Sequence, residues 1–517
     1  MLAAVLTAAR VLVVLARAAA RLGHMWALAR HIPGPRLEHL LRLWRARRSP
    51  SRVSDLFHDV AQEQHERGIF KFWSGPVLFV ILMRADDMEC VLTDKRVTEK
   101  SIVYDFLGTL MGEGLLHLSG ERWRRRRRIV APFFSPDVLR RFPAVFRERA
   151  DVLADLLDER ARDGRAFDVM PYVGQAVTDM VCHTVMATDM DTRALEDEGI
   201  ARAMNNAFAI ILYRTFNPWF LSDTLFKLSA FYAYFKRSMD LFDAFTLHLL
   251  GVKRKEREAA QSGGKRTAAR TKPTFLDVML DTSEGAALSD AELLEETKTL
   301  ITAATGGSTD ALCFVLLCIS LRQDVQDKIV QELSDVFGDD PDRVATMDDL
   351  RHLEYLERVI KETMRMFPSI PQYGRSISHD MELPSGYTLP AGAQVFVYTP
   401  AVQMDPRHFP EPATFDPDRF LCERSAGRHP YSYLPFGGGA HTCIGQRYAL
   451  MQIKSTVSAV LRRYRLLPAG EIGSPADIGD VRTNLLVTQR ARGGYRMRLR
   501  RRRRSPDRPT VQDPAEC

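Results

Sequence analysis

The sequence has no C-x-x-C pair, no internal repeat and no zinc-finger or aromatic-interleaved basic element. Its seven cysteines (Cys90, Cys182, Cys313, Cys318, Cys422, Cys443 and Cys517) are scattered with no spacing that suggests pairing. A disulfide framework and a zinc site are thereby disfavoured, and a reducing compartment is implied. Charge of one sign is scarce too: 72 Lys+Arg stand against 65 Asp+Glu, a net of +7. The excess lies mainly in two runs, Arg124 to Arg128 and Arg500 to Arg504, which read as solvated faces or as a surface for an acidic protein partner, with no nucleic acid expected. Strand signals are few and late, clustering in 382–400. Acidic residues are missing altogether before Glu38.

That acid-free start holds "LAAVLTAARVLVVLARAAA", residues 2–20, long enough to span a bilayer but interrupted by Arg10 and Arg17. Its eight Leu/Val, at about −0.3 to −0.6 kcal/mol each, roughly offset one central Arg at about +2.5 to +3.5 kcal/mol. Arg21, Arg30 and Arg36 follow, as on the cytoplasmic side of a signal anchor, and "IPGP" (Ile32 to Pro35) breaks the helix. A mitochondrial presequence has the same Arg-bearing, acid-free character. Residues 1–31 are therefore read as a membrane anchor, 32–50 as a Pro-rich hinge and linker, 51–498 as a single large domain and 499–517 as a basic disordered tail.

What is present in abundance is helical periodicity. Residues 140–164 repeat apolar side chains at three and four and end at a glycine. Residues 290–323 are apolar nearly all round, as a core helix should be, apart from the patch Thr305-Gly306-Gly307-Ser308-Thr309-Asp310. Between Arg254 and Lys272 the small, charged composition predicts an exposed loop. Ten aromatics within 208–235 predict two packed helices, a greasy entrance for an apolar substrate, or both.

One stretch asks for chemistry. "LPFGGGAHTCIGQ" (434–446) strips side chains from around a single thiol. Glycines there permit positive φ and close approach of a planar ligand, and backbone N–H groups can favour a thiolate. A plain glycine-rich turn beside a bystander cysteine is the alternative. Phe436, Gly439, Cys443 and Gly445 stand at the spacing of the cytochrome P450 haem-ligand signature, which this loop resembles. Upstream, "VIKETMRMFP" carries Glu362 and Arg365, and "ATFDPDRF" carries Arg419, again in the order and spacing of that family. The resemblance runs from the Pro-rich hinge to about residue 498.

The resemblance implies a mainly α fold with a small β-rich subdomain, and a haem b whose iron is axially ligated by Cys443, a thiolate that favours O–O cleavage. It further implies that Glu362 and Arg365 pair with Arg419 behind the haem. Trp123, Arg127, Arg375 and His441 would hold the propionates, His441 replacing the usual arginine. Arg124, Arg125, Arg126 and Arg128 would project as a basic docking surface. The family's central helix reads small-Gly-x-acid-Thr, but here Ser308 occupies the acid position before Thr309, so proton delivery is expected to be slower or leakier. The glutamate that some members join to haem is Thr305 here, so no such ester is expected. Phrases such as "HPYSYLPFGGG" resemble the microsomal clan of family four, especially its insect members. The implied activity is insertion of one oxygen atom into an apolar substrate (fatty acid, hydrocarbon, pheromone-like lipid or foreign compound). Electrons would come from NADPH through cytochrome P450 reductase, with cytochrome b5 as a second donor, at the cytoplasmic face of the endoplasmic reticulum or in the mitochondrion. Alternatives are a haem-thiolate isomerase or dehydratase of oxidised lipids, and a non-catalytic haem-binding protein.

Overall fold

The computed structural model describes residues 2–46, 49–186, 200–262, 275–276, 288–338, 343–485 and 487–502, and its architecture is mainly α with small sheets. The helices that build the site are α1 (Leu2–Ala29), α2 (Ala85–Thr93), α3 (Ile102–Met111), α4 (Gly120–Val130), α5 (Phe142–Asp163), α6 (Met170–Met186), α7 (Ile200–Thr215), α8 (Ala230–Ser262), α9 (Asp290–Leu321), α10 (Glu354–Met366) and α11 (Gln446–Arg463). The strands that concern it are β1 (Ile69–Ser74), β2 (Val77–Leu82), β3 (Gln372–Ser376), β4 (Gln394–Tyr398), β5 (Tyr464–Pro468), β6 (Thr483–Leu485), β7 (Gln489–Ala491) and β8 (Arg496–Arg501).

Helix α9 is the axis of the molecule. Ser289 opens it with a capping box: its hydroxyl accepts from the Glu292 N–H, and the Glu292 carboxylate accepts from the Ser289 N–H. From Ala311 to Ser320 every side chain is buried, which is what an all-round apolar helix requires. Helices α5, α6 and α11 share its core, with Phe142 and Phe146 edge-on to Tyr448. Gly164 closes α5 in the left-handed region at φ 63°, a conformation open to glycine at little strain.

The larger sheet has the order β1-β2-β4-β3, with β2 and β4 parallel and the other pairs antiparallel. The hairpin of β1 and β2 escaped the reading that placed strand signals late. Most of β2, Val77–Leu82, is buried on both faces, so it shows no alternation. The 382–400 signal resolves into β4 and two short paired segments, Met381–Glu382 and Thr388–Leu389. Two further expectations shift. Helix α8 continues to Ser262, well into the stretch read as a loop, and 263–272 lie outside the described residues. Strand β8 pairs with β5 as far as Arg501↔Tyr464, so the basic run begins inside the sheet, while 503–517 lie outside the described residues.

The aromatic stretch 208–235 does two jobs: Phe226 and Phe235 are buried under α7, whereas Trp219 and Tyr234 are exposed. Helix α1 leaves Leu12 to Leu15 and Trp26 exposed. Its last turns do not float free. Met25, Ala29 and Ile32 are buried against Ile69, Leu78 and Leu389. Lys71 donates to the carbonyls of Ala29 and Ile32, and His24 pairs with Asp380 at 2.7 Å.

Candidate active site

The loop 434–445 leads into α11 and is shaped by its own backbone. The Cys443 N–H donates to the Phe436 carbonyl at 2.9 Å, and the Thr442 N–H to the Gly439 carbonyl at 3.2 Å. Gly437 and Gly439 have φ of 76° and 68°. A Cβ on Gly439 would fall 2.1 Å from the backbone oxygen of Leu92 in α2, so this glycine clears a neighbouring helix. Gly445 does face the sulfur: a methyl there would sit 3.9 Å from Cys443 Sγ. Cys443 is set deep in the protein and yet presents open surface. Burial pushes its thiol up, while the Gly445 N–H and the charge of Arg127 pull it down.

Around that thiol the fold gathers cations. Trp123 and Arg127, one turn apart on α4, lie with the guanidinium 5.3 Å from the indole, and Arg127 donates to the Thr442 carbonyl at 3.1 Å. The His441 ring stacks at 3.9 Å from Trp123, tilted by 34°. Arg375 on β3 is buried and donates to the Gly374 carbonyl. Burial, followed by the charges of Arg375, Lys100, Arg127 and Arg124, holds His441 down to about 3, so it is neutral near pH 7. Lys100 is a member that the motifs did not single out. It bridges to Arg375 through the backbone, donates to the carbonyls of Leu115 and Leu116, and is pushed down to about 7 by burial and then Arg375. Its sequence gives no signal, because its neighbours Arg375 and Glu296 are distant in the chain.

Elsewhere in the core, α9 changes character at the glycine patch. Ala303 is exposed and Thr302 and Ala304 to Gly307 are half-buried, between the buried stretches 296–301 and 308–320, and nothing lies within 4 Å of where a Cβ on Gly306 or Gly307 would stand. These residues therefore face a void. Ser308 and Thr309 are buried, and the methyl of Thr309 lies against Gly174 of α6. Asp310 points elsewhere, into an ion pair with Arg490 on β7 at 3.1 Å.

Behind the cysteine loop, Glu362 and Arg365 on α10 are fully buried and bonded at 2.8 and 2.9 Å, and Arg419 donates to the same carboxylate at 3.0 Å. One expectation is corrected. Arg126 does not project to solvent: it is 4% exposed and pairs with Glu292 and Glu296, because the third position of that arginine run turns toward α9. Arg124, Arg125 and Arg128 are exposed.

This donor set fits the haem that the sequence resemblance implies. The Cys443 thiol, open at the surface of a glycine-cleared loop, suits a metal carried in a flat macrocycle. His441 Nδ1 and the Tyr373 hydroxyl are buried without partners, beside the positive charge of Arg375, Lys100 and Arg127, and Glu296, the carboxylate that acts on Lys100, is already bound to Arg126. Two propionates would satisfy that imbalance.

Comparison with known proteins bears on the same region. A family model described as Cytochrome P450 matches residues 33–487. "Cytochrome P450 4V2" of Homo sapiens is 34% identical over 413 residues, covering 78% of both chains. "Cytochrome P450 4c3" of Drosophila melanogaster is 32% identical over 411 residues (77% of this chain, 76% of the relative), and "Cytochrome P450 4g15" of the same fly is 28% identical across 93% of each.

Proposed function

The chain belongs to the cytochrome P450 family, as a family-four type haem-thiolate monooxygenase, and from that premise we propose that Cys443 is the thiolate that would hold the haem iron and that the substrate is a large apolar molecule. The observation that carries this reading is a deep yet open thiol beneath a cluster of cations with buried, unpartnered donors. Bound haem supplies oxygen activation and insertion of one atom into the substrate. Trp123, Arg127, Arg375, His441 and Lys100 orient it by its propionates, and Phe436, Gly439 and Gly445 shape the loop that presents the sulfur. Glu362, Arg365 and Arg419 hold the scaffold behind that loop. Thr309 and Ser308 hold water and pass protons, Ser308 without a carboxylic proton of its own.

Small uncharged residues along the void, Ala303, Gly306 and Gly307, and the exposed aromatics Trp219 and Tyr234 support a lipid-like or foreign apolar substrate. Exposed Arg124, Arg125 and Arg128 support docking of an acidic NADPH-cytochrome P450 reductase, with cytochrome b5 as a second donor. The apolar stretch Leu12–Ala29, with a mean hydropathy of 1.3, supports membrane attachment of residues 1–31 ahead of a catalytic domain at 51–498. The engagement of Asp310 by Arg490 leaves no acid beside Thr309, which favours one rival: an isomerase or dehydratase that turns over lipid hydroperoxides without NADPH.

The deciding experiment is the absorption spectrum of the reduced protein under carbon monoxide, beside Cys443→Ala. A strongly red-shifted Soret band, absent from the variant, is expected. An imidazole- or thiol-like band in the unmodified protein would overturn the assignment.

A further inference from the structure

Helix α1 carries its charge along one line. At 100° per residue, Arg10, Arg17 and Arg21 fall within about 20° of a common line down the axis. Leu12, Leu15, Leu22 and Trp26 lie about 120–200° around from Arg10. All seven side chains are exposed. Met25 and Ala29, which fall between the two sides, are the ones buried against the rest of the protein.

The end of α1 is fixed in place. His24 pairs with Asp380 at 2.7 Å, and the Arg21 guanidinium stands 2.7 Å from where a Cβ on Gly392 would lie. That attachment sets the rotation of the helix and directs its apolar side to the β1–β2 turn. There Leu22, Gly23 and Trp26 line a groove together with Trp73, Gly75 and Pro76. Pro218 packs on the same turn, 3.2 Å from where a Cβ on Gly75 would stand, and Trp219 beside it is 57% exposed. An apolar strip thus runs from α1 across the turn to Trp219. Tryptophan is the residue that settles where a membrane meets water.

A helix crossing the bilayer would put both of its sides in hydrocarbon. The eight Leu/Val of residues 2–20 offset one central arginine, and that stretch holds two. Laid flat, the same helix keeps its leucines among acyl chains and its arginines among headgroups. We propose that α1 lies in the surface of an anionic membrane, with Leu12, Leu15, Leu22 and Trp26 inward and Arg10, Arg17 and Arg21 toward the headgroups. The groove at the β1–β2 turn carries that contact onto the catalytic domain. The inference rests on the membrane attachment proposed for residues 1–31.

The test labels the full-length protein, in sealed membranes of the cells that express it, with a membrane-impermeant maleimide. Val14→Cys lies between Arg10 and Arg17 on the cationic side, and Leu15→Cys lies on the apolar side. Labelling above that of the unmodified protein is expected for Val14→Cys and not for Leu15→Cys. Protection of both would overturn the flat pose in favour of a span. Labelling of both would instead overturn the membrane attachment beneath it. A second measurement uses phosphatidylcholine vesicles with and without phosphatidylserine. The unmodified protein is expected to prefer the anionic vesicles and to lose that preference as salt is raised. Replacing Arg10 and Arg17 together by glutamine is expected to weaken binding to those vesicles about 30-fold, at about 1 kcal/mol for each arginine, and to leave binding to phosphatidylcholine unchanged. Equal binding of both proteins to both vesicles would overturn the role of the arginines.

Discussion

Replacing Glu362 with glutamine is expected to destabilise the protein by about 4 kcal/mol or more. Its two oxygens accept four hydrogen bonds: two from Arg365 at 2.8 and 2.9 Å, one from Arg419 at 3.0 Å and one from the Asp416 N–H at 2.9 Å. All three charged side chains are 4% exposed or less. Breaking a buried pair by removing one partner costs about 3–5 kcal/mol, and here one carboxylate serves two guanidiniums. Their other N–H groups are met by carbonyls of Gln403, Pro412 and Pro410, which carry no charge. The same Glu-x-x-Arg on an exposed helix would contribute about 0.2–0.5 kcal/mol, so the two situations differ by an order of magnitude. Urea unfolding followed by far-ultraviolet circular dichroism and by haem absorbance measures the difference. Arg419→Met, which leaves Glu362 paired with Arg365, is expected to lose less. A loss below about 1 kcal/mol in Glu362→Gln would refute the premise that the cluster is a desolvated charge network.

Gly439→Ala is expected to reduce the haem-to-protein ratio sharply, since positive φ costs about 1–2 kcal/mol and the methyl strikes the Leu92 carbonyl; Gly473→Ala, at φ 84° with open space around it, is the control that carries the φ cost alone. Asp310→Asn is expected to loosen the β6–β7 hairpin by about 1–3 kcal/mol and to weaken apolar ligand binding in spectral titrations, because Arg490 loses the carboxylate it holds at 3.1 Å. Burial alone would raise Glu357, but bonds from Lys361 and Lys454 outweigh it and hold the carboxylate at about 2 against an ordinary 4.5. Its folded value is depressed, so this stabilisation is complete above about pH 4.5 and is lost as pH falls toward about 2. With the side chain one-third exposed it amounts to about 2 kcal/mol, and Lys454→Met is expected to flatten that part of the urea-stability profile against pH.

Much of the candidate site was legible through the family resemblance, whose motifs are local. The glycine-cleared cysteine, the Glu-x-x-Arg turn and the Trp123–Arg127 turn each occupy one short stretch, where spacing fixes which side chains share a face. Partners joined only by folding were not legible. Nothing near Lys100 announces that it meets Arg375, and nothing near Asp310 announces Arg490, 180 residues on. The arginine run misled in one place because five identical residues conceal the helical turn that buries Arg126 and exposes Arg124, Arg125 and Arg128. Strand β2 was missed because burial on both faces erases the alternation by which strands are recognised.

The way α1 ends has a practical consequence for anyone shortening this chain to obtain it free of detergent. The proline hinge at Pro33 looks like the natural place to cut, yet a cut there would take Met25, Ala29 and Ile32 out of the interior and uncover Ile69, Leu78 and Leu389. Burying a side chain of this size contributes about 1.5–3 kcal/mol. It would also strip Lys71 of the Ala29 and Ile32 carbonyls that it binds. A chain that begins near Arg21 sheds the exposed run Leu12 to Leu15 while keeping the last two turns as a plug, so the point at which this chain can be shortened falls within the helix and not at its end.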